Sequence, residues 1–350
     1  MTTCKSEVFE TLPDGDIVYI YKIDNGRGVT AEVLSYGGII HSLCVPDKNG
    51  TVADVVLGQN DIAGYKSGYS CAASFIGRVA NRISGGQFIV NGKTYNTEKN
   101  LNDCTLHSAS GNYADRNLKG EVFNSDNCSG VKLSLRDNGE GGFPGGMDVS
   151  VTYSLDSDRV FKLRYEALPE EDTPISFTNH VYFNLAGHKS GSVSEQMLQL
   201  NADYVLKHEK MGMPTGEILS VKGTDMDFTS PKPIGQGFNS KYEQLSLGGY
   251  DHNYCIRGHG MRRGGFAKDP ISSRCMEFFT DMPGVQLYTG IHMFDKVSKG
   301  KDGAEYRNGS GFCLETQHYP NSVNQSQFPS PYYKAGEKFI SETIYRFYAE

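Results

Sequence analysis

The chain has 350 residues, a formal net charge of −7, eight cysteines and no tryptophan. That length permits a large core, and by length alone two or three domains. The acidic balance lacks the basic stripe that nucleic-acid binding requires, and no 18-residue apolar run is present to span a bilayer. Met1 leads straight into polar sequence, and the cysteines form no C-x-x-C pair and no Cys/His cluster. A reducing cytosol with free thiols is therefore expected, and the sequons at Asn127, Asn308 and Asn324 are then chance matches.

Read in chain order, period-two alternation predicts early strands at Ile17–Lys22, Thr30–Ser35, Gly38–Val45 and Ala53–Leu57. Gln87–Val90 and Lys93–Asn96 flank Asn91-Gly92, a dipeptide that accepts the positive φ angles of a two-residue type I′ turn. Strands follow at Val131–Arg136, Asp148–Leu155, Phe161–Leu168, Ile175–Asn184 and Met197–Asn201. The glycine- and arginine-rich segment Arg257–Arg274 has little periodicity and reads as a long exposed loop. The last strands are Cys275–Asp281, Val285–Thr289, Gly311–Gln317 and Phe339–Tyr348. So many strands without crossover helices indicate stacked antiparallel sheets. With no linker composition anywhere, the expectation is one all-β domain over residues 1–350, with few short helices.

The stretch Ser176–Asn184 carries the sharpest functional signal. Ile175, Phe177, Val181 and Phe183 alternate with Ser176, Thr178, His180, Tyr182 and Asn184. One face of this predicted strand is apolar. The other holds uncharged hydrogen-bonding groups around a histidine, where a solvated face carries Lys and Glu. Downstream, Glu315 and Gln317 share one face of a strand whose other face holds Phe312 and Leu314. A buried carboxylate needs partners, and a carboxylate with a histidine is the minimum for paired acid and base chemistry. Asn81 and Arg82, Thr105-Leu-His107, and Gly249-Tyr-Asp251-His-Asn253 supply further polar groups. Singly, each has a structural reading: Arg82 as a turn cap, Asp251 as turn chemistry, His180 as a satisfied structural histidine. No H-E-x-x-H, Walker loop, spaced Cys/His metal site or G-x-G-x-x-G after a strand is present, so hydride and phosphoryl transfer lack their usual equipment.

These blocks resemble, in order and over nearly the whole length, the aldose 1-epimerase (galactose mutarotase) family. The resemblance runs through Ser35-Tyr-Gly-Gly38, Gly77–Ile83, Asn179–Leu185, Gly249–Asn253, Pro283–Gly290 and Glu315-Thr-Gln317, continuing to Asn321-Ser-Val-Asn324 and Phe328-Pro329. It implies a large antiparallel β-supersandwich with a sugar in an open cleft on one sheet. It further implies Glu315 as general base and His180 as general acid, with Asn81, Arg82, His107, Tyr182, Asp251 and Gln286 binding the sugar. No cofactor and no metal is implied. The chain departs from the family where Ser108-Ala-Ser110 follows His107 in place of two glycines, in lacking any tryptophan, in Asn321 for a common Asp, and in Lys334-Ala-Gly336 for an Arg-Pro-Gly turn.

The implied reaction interconverts the anomers of a free aldohexose such as galactose or glucose. The C1 hydroxyl loses a proton, the ring oxygen gains one, and the ring opens and recloses on the other face. An ordinary Glu titrates near ~4.3 and His near ~6.5. Burial should raise Glu315, while His180 needs Asp251 and Glu315 to raise it. With no Trp, Tyr or Phe must meet the sugar face. The expected partner is that small sugar, with no nucleic acid and no membrane, the chain acting as a monomer or weak dimer. Two alternatives stand beside this. One is a hexose-6-phosphate epimerase using the arginines of 257–274, and the other is a non-catalytic sugar-binding module.

Overall fold

The computed structural model describes residues 1–67, 71–209, 212–291 and 299–350. Three large antiparallel sheets carry the fold. The first is a five-stranded meander, Thr3–Thr11, Ile17–Asp24, Thr30–Leu34, Ile40–Pro46 and Val52–Asp54. The second has nine strands in the spatial order Lys119–Asn124, Cys128–Asp137, Met147–Asp156, Val160–Pro169, Phe339–Ala349, Arg274–Thr280, Arg262–Lys268, Met197–Leu200 and Lys232–Pro233. The third, which carries the cleft, runs Pro214–Ser220, Tyr204–His208, Asp251–Cys255, Gly284–Tyr288 and Cys313–Gln317. Among the described residues Ile62–Ser67 is the one α-helix, so the all-β expectation is borne out. No described helix is long and apolar enough to cross a membrane.

The inward residues of the sheets meet in one connected apolar core. It extends from Val18 and Ile20 through Val151, Leu163 and Phe177 to Val285, Leu314, Phe339 and Tyr345, all nearly free of solvent contact. Alternation along Cys128–Asp137, Met147–Asp156 and Val160–Pro169 produces this, because a period of two sends every second side chain inward. The Asn91-Gly92 hairpin forms as expected, with φ of 51° and 77° and Val90 opposite Lys93.

Two expectations are corrected. Ile175–Asn184 forms a strand only at Thr178–Asn179, with isolated bridges at Ser176 and Phe183. Its backbone bonds go to several different segments: Ser176 to Arg78, His180 to Ser74, Phe183 to Phe312 and Asn184 to Val55. A ladder needs one neighbour in constant register, and here the partner changes every few residues. Its apolar positions do enter the core, while the polar positions are buried too. Arg257–Arg274 is likewise no long loop, since Arg262–Lys268 pairs on both edges, with Arg274–Thr280 and Met197–Leu200. Gly264 and Gly265 lie against the ring of Phe278, where a Cβ would stand 2.1 and 2.6 Å from it. The glycines that masked the period admit this close packing.

Two loops between sheets position the cleft. Gly77-Arg78 passes so near Tyr113 that a Cβ at 77 would fall 2.2 Å from its ring. Arg78 is buried and forms a bidentate pair with Asp137, at 2.9 and 2.7 Å, and also donates to the carbonyls of Pro144 and Gly145. Tyr113 Oη donates to the same carboxylate at 2.6 Å. The second loop places His107, Ser108 and Ala109 in succession at φ 50°, 64° and 48°, a region that crowds any side chain with a Cβ. Ser108 compensates: its hydroxyl accepts from Val79 N–H at 2.8 Å and donates to Val79 C=O at 3.1 Å. The two loops are thus tied together by a side chain that glycine would lack. Ala109 makes no such tie.

Two stability outcomes follow. Asp137→Asn leaves Arg78 buried against a neutral partner and should cost about 3–5 kcal/mol in urea unfolding; a loss under 1 kcal/mol would show that Arg78 does not anchor this loop. Ala109→Gly should raise stability by about 0.5–1 kcal/mol by relieving the left-handed backbone, after allowing for glycine's freer unfolded chain, and a destabilised protein would count against that strain.

Candidate active site

The cleft sheet brings its polar side chains into rows. Asp251 lies opposite Tyr288, which lies opposite Cys313, while Asn253, Gln286 and Glu315 form the next row. Directly paired residues project from the same face of a sheet. Gln286 donates from Nε2 to Asp251 Oδ1 at 2.6 Å, and Arg82 Nη2 donates to Asp251 Oδ2 at 3.2 Å. Both carboxylate oxygens of Asp251 are thereby engaged. Asn81, at φ 63°, turns the chain so that its Oδ1 accepts from Arg82 N–H and Nη1.

A cleft of about 610 Å³ opens above these groups. At its floor Glu315 and His180 are 2% and 4% exposed, with Oε1 and Nε2 3.9 Å apart. Glu315 Oε2 is buried with no hydrogen-bond partner among the described residues. Behind His180, Cys313 Sγ lies 3.4 Å from Nδ1, and Tyr182 stacks on the imidazole at 5.1 Å between ring centroids. Nε2 is therefore the ring nitrogen turned toward Glu315. His107 stands edge-on to His180 at 5.5 Å.

The electrostatics follow from burial. Desolvation pushes the Glu315 carboxyl well above its ordinary value, the Asp251 charge adds to this, and Arg82 opposes it. The same desolvation lowers His180 to about 4, with Asp251 only partly offsetting it. The expectation that carboxylates raise His180 is thus reversed, because removing the imidazolium from water costs more than its neighbours return. Burial also acts upward on Asp251, but Arg82, the Gln286 hydrogen bond and the two neighbouring histidines hold it at about 2. Asp251 is the carboxylate that stays charged, while Glu315 and His180 both favour neutrality.

One donor atom each of His107, His180 and Glu315 lies within 4.8 Å of the others, a spacing that would suit a metal ion. The hydrogen bonding does not suit one. His107 Nδ1 accepts from Asn81 N–H at 3.1 Å, so the neutral ring carries its proton on Nε2. A metal-bound imidazole needs the opposite, a bare nitrogen on the metal and an N–H donated outward. Burial with the nearby His180 and Arg82 keeps His107 well below its ordinary value, so it holds one proton only. His107 is a donor at the cleft.

Of the eight residues expected at a site, Asn81, Arg82, His107, His180, Asp251 and Glu315 line the cleft together. Tyr182 and Gln286 are not among the lining residues but touch them, the first stacked on His180 and the second donating to Asp251. Asp251 opens a strand and serves no turn. Sequence reasoning missed Leu101, Leu106 and Leu247, and the polar wall of His208, Glu209, Glu243 and Gln244. None belongs to a periodic pattern. Tyr288 also lines the cleft, and its strand's alternation with Gln286 was the available signal. The arginines of 257–274 are engaged elsewhere. Arg262 donates to main-chain carbonyls, Arg274 donates to those of Val45, Leu185 and Thr51, Arg257 faces Asp203 and Arg263 pairs with Glu277.

Residues 19–346 match the family model described as aldose 1-epimerase. The chain is 36% identical over 353 residues to the galactose mutarotase of Homo sapiens, covering 99% of each. It is 29% identical to the aldose 1-epimerase of Escherichia coli (strain K12), covering 97% of each. Among solved structures, the aldose epimerase homologue from C. elegans superposes with a TM-score of 0.85 at 28% identity, over 94% of this chain and 98% of that one. The galactose 1-epimerase from Lactobacillus acidophilus NCFM shares the fold, with a TM-score of 0.88 at 23% identity over 100% and 99% of the two chains.

Proposed function

The chain belongs to the aldose 1-epimerase family and is an isomerase that interconverts sugar anomers, and we propose that Glu315 and His180 are its base and acid, acting on free aldohexoses such as galactose and glucose. The observation that carries these roles is the buried pair itself, a carboxylate and an imidazole Nε2 3.9 Å apart at the floor of a hydrogen-bonding cleft. Glu315 takes the C1 hydroxyl proton while His180 Nε2–H gives one to the ring oxygen. The C1–O5 bond breaks, leaving the aldehyde, protonated Glu315 and neutral His180. Rotation about C1–C2 and the reverse transfers close the other anomer.

Burial gives this sequence an energetic direction. The closed sugar meets an ionised pair, carboxylate and imidazolium, in surroundings that disfavour both charges. Ring opening converts that pair to two neutral groups. The resting protonation state thus matches the open aldehyde, and the otherwise scarce intermediate is stabilised relative to the ring. Arg82, held by Asp251, and His107, with Nε2–H outward, donate to sugar hydroxyls. Asp251 stays ionised beside them.

The cleft favours an uncharged sugar over a phosphosugar. Its lining, among the described residues, holds Glu209, Glu243 and Asp251 against Arg82, already paired at 3.2 Å, while Glu315 and His180 together add no net charge. A 6-phosphate dianion would meet net negative charge. The presence of both the acid and the base disfavours a non-catalytic module. Reduced thiols support a cytosolic site of action.

The first test is polarimetry of freshly dissolved α-D-galactose and α-D-glucose, each with and without enzyme. Glu315→Gln and His180→Gln should each lower kcat by at least ~10² in a folded protein. A near-normal rate in either would remove that residue from its role, and faster turnover of glucose 6-phosphate than glucose would favour the phosphosugar reading. The pH dependence has a definite sign. The working pair holds one proton, so kcat/KM should fall below about 4, where His180 takes a second. It should fall again on the alkaline side as Glu315, raised well above 4.5, loses the remaining one. A profile with no alkaline decline would contradict the shared proton.

A further inference from the structure

His208 ends the strand Tyr204–His208 and lines the cleft opposite no predicted role. Its ring is fixed on three sides. Nε2 lies 3.0 Å from the main-chain oxygen of Asp251, and Nδ1 lies 3.2 Å from that of Glu209. One ring face is covered by His252, nearly parallel at 25° and 3.9 Å between centroids. His252 is itself buried and held, accepting Asp251 N–H at Nδ1 over 3.2 Å. Gln244 braces the backbone from outside, its Oε1 accepting His208 N–H at 3.1 Å and its Nε2 donating to His208 C=O at 3.3 Å.

With both nitrogens directed at carbonyl oxygens and one face stacked, the surface His208 has left for the cleft is its other aromatic face and a C–H edge. It is also more open than the alternative ring, since Tyr288 is only 4% exposed and stands edge-on to His180. Sugars present an apolar C–H face as well as hydroxyls, and an aromatic ring of fixed orientation receives it at little entropic cost. This chain has no tryptophan to offer.

We propose that His208, stacked on His252, is the aromatic platform on which the C–H face of the aldose ring packs, and so a specificity-determining contact. The proposal rests on the reading of this cleft as the aldose site. It follows that His208 acts through its ring, whereas a tie to the strand of Asp251 would act through its nitrogen.

Three substitutions separate these roles. His208→Ala should raise KM about 3- to 10-fold with kcat little changed. His208→Phe keeps a ring and loses the nitrogen, and should recover most of the loss. His208→Gln keeps a donor for Asp251 C=O and loses the ring, and should resemble Ala. Recovery by Gln and failure by Phe would overturn the platform in favour of the tie, and an unchanged KM in the Ala variant would overturn it outright. If Ala does not fold, the Phe and Gln pair alone decides. Saturation-transfer NMR with galactose, irradiating aromatic protons of the Glu315→Gln protein, reads contact without turnover. The sugar C–H signals should weaken on adding His208→Gln and persist on adding His208→Phe; equal signals in both would overturn the platform. A wild-type protein that binds galactose with this pattern yet does not speed mutarotation would refute the catalytic roles and leave the platform intact.

Discussion

Burying a carboxylate and an imidazole together is the constraint around which the rest of this protein is arranged. Either charge alone at that depth would cost several kcal/mol, and even a paired ionic state is held there only weakly. Glu315 and His180 therefore favour sharing one proton as two neutral groups. A reaction that passes a proton from one to the other through a substrate exploits this balance, since each half-step changes the charge of both together. Tyr182, Cys313 and Tyr288 pack behind and beside His180 and close that side of the pair to water.

The fixed charges lie beside that buried pair. Asp251 remains ionised because Arg82 and Gln286 take both of its oxygens. Its negative charge in turn raises Glu315 and tempers the fall of His180. Arg82 is positioned by Asn81 in its left-handed turn, and that turn is held by Arg78, whose own charge is neutralised by Asp137. Structural and functional arginines thus stand four residues apart in one loop. Arg78 faces inward to a buried carboxylate and fixes the backbone; Arg82 faces the cleft.

Departures from the family pattern fall on the supports of the cleft. Ser108 and Ala109 occupy left-handed backbone where the family usually has glycines, and the Ser108 hydroxyl replaces conformational ease with two hydrogen bonds to Val79. The missing tryptophan leaves histidine and tyrosine as the rings that line the cleft. The chemistry-bearing side chains are untouched by either change.

The sequence by itself determined the fold class and named six of the residues that line the cleft. Strict alternation at Met147–Asp156 and Val160–Pro169 specifies strands because side-chain direction has a period of two whatever the tertiary setting. The ordered blocks around Asn81, His180, Asp251 and Glu315 pointed to cleft residues through their resemblance to the family. Other features were invisible for a common physical reason, that they arise from what neighbours do. Glycines at 264 and 265 read as loop residues, whereas the ring of Phe278 fills the space they leave. Ile175–Asn184 looked like a regular strand, but several different partners take its backbone bonds. Only the tertiary structure decided that Gln286 bonds Asp251 and Tyr182 stacks on His180, that Arg78 is buried against Asp137, and that His208 lines the cleft. Most of all it decided the protonation of His180, because desolvation depends on every group packed around the ring, and a sequence records none of those distances.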